Sequence, residues 1–256
     1  MKEEIGTGPV AYSVITSFWI LAGYLFVVSI ILPFLTNPDN LFLRGVIRFI
    51  FTVPCVIALG KVVQINGIKF VFSMEGFGRG MFAQAALLLW LSTQVIHLIN
   101  MSEMNVVFIS EIPMLVFFEL ATGVFEEALF RGLFMTAMLN EYGVTVRGRL
   151  MSVIVSGVVF GFLHLMGGNM MQVLLTSIIG IAFCAAFLYS KNLTSLMLIH
   201  ALWNVLIKTV DGLIVDMHSA ELLRIVHIAQ PIILFAIIPS FALILSAKAS
   251  PFQTAE

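Results

Sequence analysis

Three carboxylates and one arginine interrupt an otherwise apolar run, Phe117-Phe118-Glu119-Leu120-Ala121-Thr122-Gly123-Val124-Phe125-Glu126-Glu127-Ala128-Leu129-Phe130-Arg131. Charges in apolar surroundings are costly unless paired, so each one needs a reason. On a helix, Glu127 and Arg131 share a face at i, i+4 and can pair. Glu126 points roughly 100° away around the helix, which leaves it free for chemistry. The ordinary reading of the pair is a packing salt bridge. Glu119 lies two turns before Glu126 on nearly the same face, and its ordinary reading is a hydrated carboxylate close to an interface. Two histidines sit in later apolar runs, in Phe160-Gly161-Phe162-Leu163-His164 and His200-Ala201-Leu202-Trp203-Asn204. Each shares a helix face with a partner one turn away, Phe160 or Asn204. Alone, either histidine reads as a hydrogen-bonded packing residue. Together with carboxylates on another run, they predict polar groups converging on one interior point. His97, His218 and His227 fall near the ends of apolar runs and read as interfacial.

A carboxylate with two imidazoles and an amide can activate water. A carboxylate desolvated by apolar neighbours is a stronger base than one in water. His164 could help position the water, while His200 and Asn204 could donate hydrogen bonds to the oxyanion formed at an attacked carbonyl. Alternatively, Glu126, His164 and His200 could ligate zinc, which takes N and O ligands and keeps one position open for water. The spacing alone leaves both versions open.

The elements that must carry these groups are membrane helices. Apolar residues make up 60% of the 256 and charged residues 11%, against about 25% charged in ordinary soluble domains. Mean hydropathy is +1.07. A single soluble core cannot hide so much apolar surface, whereas a bilayer lets outward faces stay apolar. The predicted class is an all-α polytopic transmembrane bundle of about eight spans. They run from about Val10 to Leu35, Leu41 to Ile65, Gly80 to Asn100, Pro113 to Asn140, Leu150 to Leu165, Met170 to Tyr189, Leu193 to Val210 and Leu222 to Ala247. Turn residues separate them at Asn37-Pro38-Asp39-Asn40, Asn66-Gly67, Gly143, Gly167-Gly168-Asn169, Lys191-Asn192 and Asp211-Gly212. Residues 1–256 read as one membrane domain, with the chemistry-bearing core in 113–209. The first run is too long for a signal peptide and lacks its cleavage pattern. Cys55 and Cys184 show neither pairing nor metal spacing.

Net charge is -1, which argues against nucleic acid as a partner. Lys and Arg prefer the cytoplasmic side of short loops. With both termini inside, the inner side holds Lys2, Lys61, Lys69, Arg79, Arg147, Arg149, Lys191 and Lys248; the outer holds Arg44, Arg48, Lys208 and Arg224. That bias predicts cytoplasmic termini, and the short loops suggest a bacterial plasma membrane. On that topology His164 falls roughly 20 Å along its helix from the inner end and His200 about 10 Å, at 1.5 Å per residue.

Three motifs follow one another on separate apolar spans: Glu126-Glu127-x-x-x-Arg131, Phe160-x-x-x-His164 and His200-x-x-x-Asn204. In this order they resemble the CPBP family, the CAAX-protease and bacteriocin-processing intramembrane peptidases, also called the Abi family. The resemblance covers about 113–209. It implies an endopeptidase acting on a membrane-associated peptide or protein, of CAAX, peptide-pheromone or bacteriocin type. It also implies that Glu126 activates water with support from Glu127 and Arg131, that His164 binds the water or a metal, and that His200 and Asn204 stabilise the oxyanion. Family members are described both as metallo-enzymes and as purely glutamate-dependent ones. The signatures Gly-x-Ser-Gly, Gly-x-Gly-Asp and His-Glu-x-x-His of other intramembrane proteases do not occur. Two non-catalytic readings compete. Buried carboxylates and histidines also build ion paths in transporters, but here they cluster in spans four, five and seven instead of lining a path across the bilayer. A membrane scaffold or immunity protein could carry the same motifs without turnover.

Overall fold

A computed structural model describes residues 9–27, 31, 41–65, 74–99, 106–143, 145–166, 170–213 and 237–246. Every element in these segments is helical: α1 Pro9–Phe26, α2 Leu41–Ile65, α3 Phe77–Ala83, α4 Ala85–Ile99, α5 Val106–Ile109, α6 Ile112–Glu127, α7 Thr136–Tyr142, α8 Val146–Leu163, α9 Met170–Ser190, α10 Leu193–Leu213 and α11 Ile237–Ser246. A π-helical segment, Ala128–Met135, joins α6 to α7, and a 3₁₀ turn, His164–Met166, follows α8. Among the described residues, four stretches are long and apolar enough to cross a bilayer: Phe42–Lys61, Val146–Leu163, Met170–Ser190 and Leu193–Leu213. The chain is an integral membrane protein. Residues 28–30 and all beyond 31 of the first predicted span, most of the last, His218 and His227 lie outside the described residues, as does the side chain of His97.

Local chemistry sets most boundaries. Pro113 falls in the first turn of α6, where its missing N–H leaves nothing unpaired. Thr145 caps α8 by accepting from the Gly148 amide at 3.0 Å, so this helix starts four residues before the predicted Leu150. Lys191 takes a left-handed φ of 56° and ends α9. Asn192 then caps α10, its Oδ1 accepting from the Ser195 amide at 2.8 Å. The predicted third span is two helices broken at the buried Gln84. Asp211-Gly212 is not a turn: α10 runs on to Leu213, and Gly212 lets the Phe108 ring lie against the backbone.

The depth of each helix in the bundle follows from its neighbours. In α9, 67% of the most apolar window is buried inside the protein, against 22% in α2. α9 is therefore central, whereas α2 turns Phe42, Phe49, Ile50 and Ile57 outward to lipid. α8 packs along α9, and α6 packs between α2 and α10. Stacked rings lock the layers: Tyr24 on Phe125 at 3.8 Å joins α1 to α6, and Trp90 on Trp203 at 4.0 Å joins α4 to α10. At Gly123 the backbone of α10 comes so close that a Cβ would meet Ala201 N and Met197 O at 3.0 Å. That approach brings the carboxylate-bearing end of α6 to His200.

Candidate active site

Glu127 is the hub. It has no solvent exposure, and its Oε1 accepts from Arg131 Nη1 at 2.9 Å and from His200 Nδ1 at 2.7 Å. Arg131, equally buried, also donates from Nη2 to the Gly180 carbonyl at 3.0 Å. That carbonyl is reachable because α9 is close-packed on α8 there; a Cβ on Gly180 would lie 2.8 Å from Gly157 O. The guanidinium sits against the rings of Phe160 and Phe183, at 4.6 and 5.4 Å. Arg131 lies within the π-helical segment, where the Thr136 hydroxyl donates to the Arg131 carbonyl at 2.6 Å, five residues back. π-Bulges are common at functional sites, and the apolar spacing gave no sign of this one.

Glu126 behaves differently from its neighbour. Its side chain is 22% exposed, and Oε2 makes no hydrogen bond and stands 3.6 Å from His200 Nε2. It lines a cavity of about 220 Å³ together with Tyr24, Arg48, Phe130, Phe160 and His164. His200 is thus flanked by two carboxylates, one at each ring nitrogen. Its ring packs on Phe183 at 5.5 Å and edge-on to Phe160 at 5.9 Å.

His164 donates from Nδ1 to the Phe160 carbonyl at 2.9 Å, and its ring lies 4.8 Å from that of Phe160. Phe160 therefore lies against both histidine rings. His164 shares the cavity with Glu126 and makes no hydrogen bond or ion pair with His200 or the carboxylates among the described residues. Asn204, half-buried, makes no hydrogen bond to the site among the described residues. The structure gathers Glu126, Glu127, Arg131 and His200 into one cluster, sets His164 at the edge of its cavity, and leaves Asn204 aside.

Both histidines hold Nδ1 in a hydrogen bond and leave Nε2 open, as metal-ligating histidines do. Yet among the described residues no three His, Cys, Asp or Glu side chains converge as a ligand group. Glu126, His164 and His200, as arranged, do not assemble a zinc site.

Glu119 departs from the expectation of hydration. It is fully buried and bonded to Lys208 of α10 at 2.5 Å. Two residues that the spacing did not single out line the cavity: Tyr24 of α1 and Arg48 of α2. Arg48, counted among the outer-side charges, lies inside the apolar stretch Phe42–Lys61. The rule that drew attention to Glu126, an ionisable group within a span, would have found it.

With this geometry in place, comparison with known families is informative. Residues 108–206 match the family Type II CAAX prenyl endopeptidase Rce1-like. The resemblance to CPBP intramembrane peptidases carried by the three motifs is borne out over that segment, which is less than half of the chain. No curated protein and no solved structure matches. The Rce1-like segment runs from α5 to α10 and so contains Glu126, Glu127, Arg131, His164, His200 and Asn204. It excludes α1 and α2, which supply Tyr24 and Arg48.

Proposed function

We propose that this protein is an intramembrane endopeptidase that hydrolyses a peptide bond in a membrane-associated substrate of the CAAX kind, with Glu126 as the general base. The observation that carries this reading is the state of Glu126. It has a carboxylate oxygen without a hydrogen bond, 3.6 Å from His200 Nε2, at the wall of a cavity in an apolar bundle. Glu126 takes a proton from a water as its oxygen attacks the carbonyl carbon of the scissile bond. The carbonyl electrons move to oxygen, and a protonated His200 Nε2 donates to that oxyanion. By the family resemblance Asn204 joins it after a local shift of α10. Collapse of the intermediate breaks the C–N bond, and the leaving nitrogen takes the proton from Glu126. Glu127 orients His200 through Nδ1, Arg131 balances the charge of Glu127, and His164 holds the water. Every step uses groups of this chain.

The same reading sets the protein in a bacterial plasma membrane with about eight spans and both termini cytoplasmic, its substrate entering from the bilayer or its surface. An acylated peptide would concentrate there, by roughly 0.8 kcal/mol for each buried methylene. The test is hydrolysis of an acylated peptide by the purified protein in nanodiscs. Glu126→Gln keeps the shape and removes the base, so turnover should fall by about 10²–10⁴-fold while binding survives. Unchanged turnover in Glu126→Gln would refute the assignment of the base.

A further inference from the structure

Arg48 presents a problem that the proposed chemistry does not solve. A guanidinium inside an apolar span is expensive and normally paired. Among the described residues no carboxylate lies within ion-pair distance of it; the ion pairs formed there involve Arg131, His200 and Lys208. Its contacts orient it without neutralising it. Nε donates to the Tyr24 hydroxyl at 2.9 Å, and the guanidinium carbon lies 3.9 Å from the centre of the Phe118 ring. Nε is thereby occupied, and the two terminal nitrogens donate to no described residue. Arg48 lines the same cavity as Glu126 and His164.

Such a cation, set at one wall of the cavity with no ion-pair partner among the described residues, is suited to receive an anion. The planar fork of arginine matches a carboxylate with two parallel hydrogen bonds. The cavity, about 220 Å³ and walled by Leu21, Phe125, Phe130 and Leu163, is smaller than the roughly 300–1,000 Å³ of common small-molecule pockets.

We propose that Arg48, steadied by Tyr24 and Phe118, binds a carboxylate of the substrate peptide beside Glu126, so that a helix outside the Rce1-like segment sets specificity. The carboxylate is either the α-carboxylate of a chain end or an acidic side chain near the scissile bond. The inference rests on the peptidase reading of this cavity, and binding separates the two.

The experiment uses the full-length protein carrying Glu126→Gln in nanodiscs of neutral lipid. Three short acylated peptides are compared by fluorescence anisotropy: one with a free C-terminal carboxylate and no acidic residue, its C-terminal amide, and the amide with one aspartate. One of the two carboxylate peptides should bind about 10- to 100-fold more tightly than the neutral amide, the strength of a charge-assisted hydrogen-bonded pair. Whichever one does so identifies the source of the carboxylate. Adding Arg48→Gln should abolish the preference while the neutral amide still binds, which also reports an intact cavity. Arg48→Lys should keep part of the preference, because a point charge lacks the fork. Tyr24→Phe should reduce it less than Arg48→Gln does. Equal binding of all three peptides, binding of none, or a preference that survives Arg48→Gln overturns the proposal. If the preference appears but the wild type cleaves none of the three peptides, the carboxylate site stands and the peptidase reading fails.

Discussion

Glu119 and Glu126 stand two turns apart on one helix, on nearly one face, and they have opposite surroundings. Glu119 is wholly buried and closed off by Lys208, whose side chain is 51% exposed and carries the charge pair towards the edge of the bundle. Glu126 is 22% exposed, keeps one oxygen without a hydrogen bond, faces a histidine and opens on a cavity. An intramembrane carboxylate is therefore not a site by virtue of its type. It becomes one when it is held in place beside space for a reactant. Each of the two keeps one oxygen without a hydrogen bond, but Glu119 is paired with a long, flexible cation, whereas Glu126 faces a histidine and lines a cavity.

The contrast can be broken most directly by matched substitutions. Glu126→Gln is expected to lower turnover by about 10²–10⁴-fold with little change in melting temperature. Glu119→Gln is expected to leave turnover within a few-fold. Comparable losses in both, measured with one acylated peptide, would erase the distinction.

Next in size is the support beneath Glu126. Removing one member of a buried ion pair strands the other and costs about 3–5 kcal/mol. Arg131→Ala should therefore lower the melting temperature in detergent and reduce yield, since it leaves the fully buried Glu127 with only His200. A wild-type melting temperature together with full activity would show the pair to be dispensable.

How much of this was legible in the residues depends on the kind of signal. The i, i+4 spacing of Glu127 and Arg131 is a local property of helices, and the ion pair forms as expected. The separation of Glu126 from that pair was readable for the same reason. Span positions in the second half followed from apolar run length, and α9 and α10 start where expected. The match of 108–206 to the Rce1-like family agrees with the order of the three motifs. Tertiary features were not legible. The π-helical segment depends on how α6 packs, and the pairing of Glu119 with Lys208 bridges 89 residues. Charge counting treats Arg48 only as a topological marker and so says nothing of its surroundings, Tyr24 and Phe118. Asn204 was expected at the oxyanion by one-turn spacing from His200, but spacing fixes a helix face and does not reach across the cavity.

A smaller effect is expected at the carboxylate paired with Lys208. Because Lys208 is half in solvent, Glu119→Gln should cost about 1 kcal/mol, read as a modest fall in melting temperature. A loss as large as that of Arg131→Ala would place Glu119 with the buried network.

The metal question gives another contrast. Since His164 does not join Glu126 and His200 as a third ligand among the described residues, extended chelation followed by dialysis should leave turnover unchanged, and added zinc should not raise it. Loss on chelation with recovery on zinc would require His164 to swing to the cluster and would overturn the metal-free mechanism.

The smallest expected effect lies outside the spans. Desolvation, and then the neighbouring Arg149, lower the Lys191 amine from its usual 10.5 to about 8, although its side chain reaches the surface. The folded state then binds fewer protons than the unfolded one between these values, so stability should rise as pH increases from about 8 towards 10.5. Lys191→Met should flatten that rise in melts taken at both pH values. An identical slope in the variant would remove Lys191 as its source.

The most direct test of the central claim is mass spectrometry of membrane peptides from cells expressing wild type, Glu119→Gln or Glu126→Gln at equal levels. Wild type and Glu119→Gln should share a set of cleavage products that is absent from Glu126→Gln. If all three peptide profiles coincide and Glu126→Gln still complements a deletion strain, the protein works without turnover, as a scaffold, and the catalytic assignment of Glu126 is wrong.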